Sequence, residues 1–145
     1  MIDLTESEID FTQVTESVRT NEAGAVVLFM GTVREFTGDS HTSSLEYEAY
    51  PKMAVEAMEA LEREAREKWP LLKIAIVHRT GHLDLGEIAV AVAVCARHRT
   101  EAFEGGRWLI DTLKERVPIW KKELYVDGST EWVHPDNATA GHSHE

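Results

Sequence analysis

The run Glu87 to Arg97, Glu-Ile-Ala-Val-Ala-Val-Ala-Val-Cys-Ala-Arg, constrains the fold more than any other stretch of the chain. Side chains alternate sides along a β-strand, so Ile88, Val90, Val92 and Val94 share one face, and Ala89, Ala91, Ala93 and Cys95 share the other. Neither face carries a polar group. Such a strand is buried on both faces, and its small side requires a closely packed neighbour. Cys95 belongs to the small series and reads as packing, not as a nucleophile.

The remaining elements follow from periodicity and punctuation. A short strand near Ile2 to Leu4 precedes a helix from about Phe11 to Arg19, with Asp10 or Thr12 as its cap. Ala25 to Val33 reads as another buried strand, interrupted at Gly31 by a bulge or a close backbone approach, with Arg34 where it runs out. Glu35 to Ser44 reads as a mobile loop containing Gly38, and Leu45 to Tyr50 as a strand. Pro51 suits the first turn of a helix on which Ala54, Met58, Leu61, Ala65 and Trp69 recur at helical spacing until Pro70 stops it. Leu71 to Arg79 is a strand joined to Glu87 to Arg97 through the turn Thr80 to Gly86. A helix follows from about Thr100 to Arg116, with Ala102, Phe103, Gly106, Leu109, Ile110, Leu113 and Val117 as its apolar stripe. After Pro118, Ile119 to Val126 is a strand turned by Asp127-Gly128 into a short partner around Trp132. These patterns predict one α+β domain over residues 1–134, without repeat or linker, and a disordered tail over 135–145. His142 and His144 fall in that tail and read as a ragged end, not a metal site.

With 145 residues the chain can bury a core without disulfides or a structural metal, and its one cysteine excludes an internal disulfide. No apolar run approaches the ~20 residues that span a bilayer, and Met1 to Glu8 lacks the basic start and apolar middle of a signal peptide. A cytoplasmic protein without a membrane partner is the expectation.

Charge then narrows the function. The net charge is −11, yet Arg97 to Lys122 holds seven Lys or Arg against four Asp or Glu. A positive region on an acidic body captures a small anion or an acidic peptide end, while the overall field repels nucleic acid. Each basic residue alone is an ordinary solvated charge; clustered beside apolar neighbours from Ile110 to Glu123, they point to an anion site. Lys114 sits at the edge of the helical stripe, where a lysine either snorkels to water or enters a partly desolvated pocket. Arg34, His98 and Arg99 stand at strand ends or a helix start. Arg99 and Lys114 lie 15 residues apart on one predicted helix, ~22 Å at helical rise, so a single small ligand touching both needs a second subunit.

The ordered segments Phe29-Met-Gly-Thr-Val-Arg34, Leu45-Glu-Tyr-Glu-Ala-Tyr50, His78-Arg-Thr-Gly-His-Leu83, Gly86-Glu87, His98-Arg99 with Ala102-Phe103, Ile110-Asp-Thr-Leu-Lys114 and Val117-Pro-Ile-Trp-Lys-Lys-Glu123 resemble the large, catalytic subunit of molybdopterin synthase, the MoaE family. They occur in family order from about residue 24 to residue 132. The resemblance implies an α/β-hammerhead with a mixed, largely antiparallel sheet and two or three helices. It also implies a homodimer within a heterotetramer, with a small ubiquitin-like sulfur-carrier subunit at each end. The carrier's C-terminal Gly-Gly thiocarboxylate would donate sulfur to cyclic pyranopterin monophosphate, forming the dithiolene of molybdopterin. This sequence ends in His-Ser-His-Glu, so the carrier is expected to be a separate chain.

Carried over residue by residue, the resemblance makes Lys114 and Lys121 catalytic. It places substrate binding on Thr32, Val33 and Arg34, on His98 and Arg99 of the neighbouring subunit, and on Lys122 and Glu123. The chemistry is coherent: lysines suit a developing oxyanion or proton transfer, arginines suit phosphate, and no metal or redox cofactor is required. Ala96 stands where relatives often have a small hydroxyl, and Thr32 where a basic residue occurs. A different class also fits the charge pattern, namely a non-catalytic binding or scaffold module for an acidic peptide tail. Alternation sets Lys121 on the side of Ile119, away from Trp120, which is awkward for a site residue unless the strand bends after Pro118.

Overall fold

The computed structural model describes residues 1–133, and the tail expected over 135–145, with its two histidines, lies outside them. In chain order the elements are β1 (Ile2–Thr5), α1 (Phe11–Ser17), β2 (Ala25–Thr32), β3 (Phe36–Thr37), β4 (Ser40–Ala49), α2 (Pro51–Lys68), β5 (Leu71–Arg79), β6 (Gly81–Asp84), β7 (Ile88–Ala96), α3 (Arg99–Arg116), β8 (Ile119–Tyr125) and β9 (Thr130–Val133). They form an α+β fold with two sheets. One has the order β1-β5-β7-β2, with β1 parallel to β5 and the other pairs antiparallel; the second has the order β3-β4-β8-β9, with β6 also paired to β4.

The alternating strand behaves as its composition demands. β7 lies between β5 and β2, and Ala89 through Ala96 are all buried. Val90, Val92 and Val94 join the main core with Ala54, Met58, Leu61 and Ala65 of α2 and Leu109, Ile110 and Leu113 of α3. Ala91, Ala93 and Cys95 pack on the other side against Ile9, Val14 and Val18. The closely packed neighbour is therefore α1 and its flanks, a seven-residue helix capped by the Asp10 carboxylate, which accepts from the Gln13 N–H at 3.1 Å. On the opposite side Gly105 lets α3 approach, since a Cβ there would stand 2.8 Å from Leu71 Cδ1.

Four expectations need correction. β2 is not a buried strand: it forms the sheet edge, and Val26, Phe29 and Met30 are exposed at 39%, 37% and 39%. The segment after Arg34 is no loop but a hairpin, Phe36 pairing His41 and Thr37 pairing Ser40 around Gly38 at φ +59°. The turn Thr80 to Gly86 contains β6, which leaves the first sheet to pair with β4. Phe103, placed in the stripe of α3, is 62% exposed. Gly31 does mark a bulge, with the register shifting between Gly31 and Thr32, and its missing Cβ avoids Val90 Cγ1 at 2.8 Å.

The second sheet positions the candidate site. β8 runs antiparallel to β4 with Tyr47 opposite Lys121, Glu46 opposite Lys122 and Leu45 opposite Glu123. The connection from α3 is tight: the Val117 N–H closes on the Leu113 carbonyl at 3.0 Å and the Ile119 N–H on the Val117 carbonyl at 2.8 Å. Pro118 ends the helix because it supplies no amide donor and its ring blocks a further turn.

Candidate functional site

Directly opposed residues of two strands share a face, so Tyr47 and Lys121 lie together, with Ile119 and Glu123 on the same side of β8. Ile119 is in the main core and Glu123 is only 8% exposed. Lys121 therefore belongs to the inward face, and no bend after Pro118 is needed: the site lies on the side of Ile119. Its Nζ stands 4.0 Å from Glu123 Oε1. Lys122 faces the other way, its ammonium 5.7 Å from the centre of the Trp132 ring.

Tyr47 meets His78 of β5 edge-on, with ring centroids 5.1 Å apart. The His78 Nδ1–H donates to the Arg79 carbonyl at 2.7 Å. Burial pushes this imidazole down to about 4, against the upward pull of that hydrogen bond, and the positive charge of Lys114 lowers it further. His78 is thus a neutral side chain at neutral pH, within the field of Lys114. Burial, then the charge of Glu123, pushes the Tyr47 hydroxyl up to about 12. The Tyr47–His78 pair links the surroundings of the two lysines: Lys121 lies across the strand from one ring, and Lys114 acts on the other.

Lys114 itself is exposed in the last turn of α3. Val33 is buried among Leu45, Leu83 and Ala89 with Tyr47 packed against them, and its backbone is held by Glu87 and Gly86. This anchor brings the segment Thr32 to Arg34 toward β4 and leaves Thr32 and Arg34 exposed. A cleft of 770 Å³ is lined by Leu4, Tyr47, Tyr50, Trp120 and Trp132 and the carboxylates of Glu6 and Glu48, while Lys114, Lys121 and Arg34 are not in its lining.

His98 and Arg99 are not part of this grouping. His98 caps the start of α3 and Arg99 is its first residue, both exposed, while Lys114 lies in the last turn, ~22 Å away along the axis. Arg34 follows the end of β2, whereas His98 follows the end of β7 beside the start of β2. One chain therefore sets Lys121 and Glu123 along β4, holds Val33 against Leu45 of the same strand, leaves Lys114 exposed with its charge acting on His78, turns Lys122 to the other face of β8, and leaves His98 and Arg99 at the far end of α3. The sequence reading gave no role to Tyr47, His78, Tyr125 or Glu131. The alternation of β4 would have turned Tyr47 inward with Leu45, whereas the contact with His78 joins two sheets and left no local signal.

Among the described residues, no group of three or more His, Cys, Asp or Glu is placed to hold a metal ion, and no helix is long and apolar enough to cross a membrane. Cys95 is free and buried in the small-residue layer.

Fold and site together define an α+β protein in which the strand after α3 sets Lys121 across from a partly buried tyrosine that meets a buried histidine, with Lys114 exposed in the last turn of the helix. The chain belongs to the MoaE protein family, whose model matches residues 4–116. It is 44% identical over 131 residues to the molybdopterin synthase catalytic subunit of Bacillus subtilis (strain 168), covering 90% of this chain and 83% of that protein. A crystal structure of molybdopterin synthase from Staphylococcus aureus matches with a TM-score of 0.85 at 41% identity, covering 90% of this chain and 94% of that one. The molybdopterin biosynthesis MoaE protein of Burkholderia ambifaria MC40-6 matches with a TM-score of 0.79 at 35% identity, covering 99% of this chain and 98% of that one.

Proposed function

We propose that the protein is the catalytic subunit of a molybdopterin synthase in molybdenum cofactor biosynthesis. It would transfer sulfur from the C-terminal thiocarboxylate of a small ubiquitin-like carrier to cyclic pyranopterin monophosphate. The observation that carries this is the inward setting of Lys121 against the Tyr47–His78 pair, whose imidazole also lies in the field of Lys114.

The thiocarboxylate sulfur attacks an oxygen-bearing substrate carbon, forming the C–S bond of a carrier–substrate thioester while a C–O bond breaks; at one of the two carbons the leaving oxygen stays on the opened phosphate, and at the other it departs as water. Water then adds to the acyl carbon, the acyl–sulfur bond breaks, sulfur stays on the pterin and the carrier leaves as a carboxylate; a second carrier repeats the transfer to give the dithiolene. Negative charge develops on the acyl oxygen during water addition. Lys114 and Lys121 are the groups suited to meet it and to move protons to and from the leaving sulfur. Thr32, Val33, Arg34, Lys122 and Glu123 form the family's binding set on the same subunit; Arg34 suits the substrate phosphate, Val33 acts as the anchor of its segment, and Lys122 serves from the Trp132 side of β8. His98 and Arg99 complete the site from the partner subunit of a homodimer, which accords with their place at the far end of α3. The exposed apolar edge of β2 supports such a dimer.

The test is to combine the purified protein with a thiocarboxylated carrier and cyclic pyranopterin monophosphate and to detect the dithiolene product. Wild type should turn over, and Lys114→Ala and Lys121→Ala should each lose roughly 100-fold or more in kcat while still binding the carrier. A stable carrier complex with no product from wild type would leave the binding-module reading standing instead.

A further inference from the structure

The pairing of β8 with β9 sets Glu123 directly opposite Glu131, two like charges across from one another, an arrangement that works against strand pairing. A phenol lies between them. The Tyr125 hydroxyl is 2.7 Å from Glu123 Oε2 and 3.0 Å from Glu131 Oε1. One hydroxyl carries one proton and donates to one carboxylate at a time; the shorter contact is to the more buried glutamate. Glu123 presents its other oxygen, Oε1, to the Lys121 ammonium at 4.0 Å. Lys121, Glu123 and Tyr125 are two residues apart on one strand and share one face of it. A continuous polar chain therefore runs from Glu131 through Tyr125 and Glu123 to Lys121.

We propose that Tyr125 is a positioning residue for Lys121, acting through Glu123. This rests on the reading of Lys121 as a reacting lysine. The hydroxyl fixes the Glu123 carboxylate by one oxygen, which leaves the other aimed at the ammonium. Without it, the buried carboxylate loses a donor and faces Glu131 unshielded, so it turns from Lys121. Burial and both carboxylates push the phenol upward, so it remains a donor through neutral pH.

The experiment is competitive acylation of the full-length protein by limiting acetic anhydride at one pH, with each lysine resolved by mass spectrometry and exposed Lys52 of α2 as internal reference. Tyr125→Phe should raise the labelling of Lys121 relative to Lys52 by roughly threefold, because the neutral amine is the form that acylates. Glu123→Gln, which keeps the shape and removes the charge, should produce the same rise and replaces the phenylalanine variant if that one does not fold. Glu131→Gln leaves the phenol proton to Glu123 and should leave Lys121 at its wild-type rate. In the sulfur-transfer assay, Tyr125→Phe should lower kcat by roughly tenfold with the KM for carrier unchanged. Unchanged Lys121 labelling in folded Tyr125→Phe, or an equal rise in all three variants, overturns the proposal. The expected labelling pattern in a wild-type protein that transfers no sulfur would uphold the positioning role and sink the sulfur-transfer reading.

Discussion

At the scale of single residues, His78 is the group whose environment departs furthest from water. Its folded value of about 4 lies below the ordinary 6.5, so the unfolded chain binds more protons between these limits. Stability contributed by the neutral imidazole is complete above about pH 6.5, falls as pH drops and is gone below about pH 4; integrated over the window it amounts to roughly 3 kcal/mol. Urea unfolding at pH 7, 5.5 and 4.5 should show wild type losing more stability on acidification than His78→Gln, by an amount of that order. Equal losses in the two proteins would mean that the imidazole is solvated. The sequence singles out the two lysines through two motifs of the family it resembles, Asp-Thr-Leu-Lys for Lys114 and Trp-Lys-Lys-Glu for Lys121. It did not make Tyr47 and His78 legible as a unit, because they meet only where strands from different sheets come together.

At the scale of elements, composition settled the buried centre and misjudged the edges. β7 was readable because alternating Val and Ala fit no exposed setting, and α2 because Ala54, Met58, Leu61 and Ala65 trace one helical face. β2 was misread because Val26, Phe29 and Met30 resemble core residues, while the position of their strand at the edge of the sheet depends on pairings made elsewhere in the chain. β3 and β6 were hidden among turn residues, and each is held by β4 more than by its own composition. An apolar eight-residue edge invites a second copy of the chain. On the proposed homodimer, Met30→Lys should therefore shift the protein from dimer to monomer in sedimentation velocity with its far-ultraviolet circular dichroism unchanged; a variant that remains as dimeric as wild type would move the interface away from β2.

At the scale of the whole molecule, α3 sets Lys114, with the start of β8, at one end and His98 and Arg99 at the other, which on the proposed function are two half-sites. If the active unit is a dimer that joins one half from each chain, Lys121→Ala and Arg99→Ala proteins should complement each other. Mixed after dissociation and reassociation, the two weak variants should recover about one quarter of the wild-type rate, since half of the dimers are mixed and each holds one intact site. No recovery on mixing, with heterodimers present by native mass spectrometry, would place both halves within one subunit. The short junction from α3 into β8 carries one more consequence. Lys121 and Lys122 are chemically identical neighbours, and only the parity of the residue count after Pro118 decides which faces Tyr47 and which faces Trp132. Adding or removing a single residue there would exchange their assignments without changing the charge of the protein, so the junction preserves an arithmetic as much as a shape.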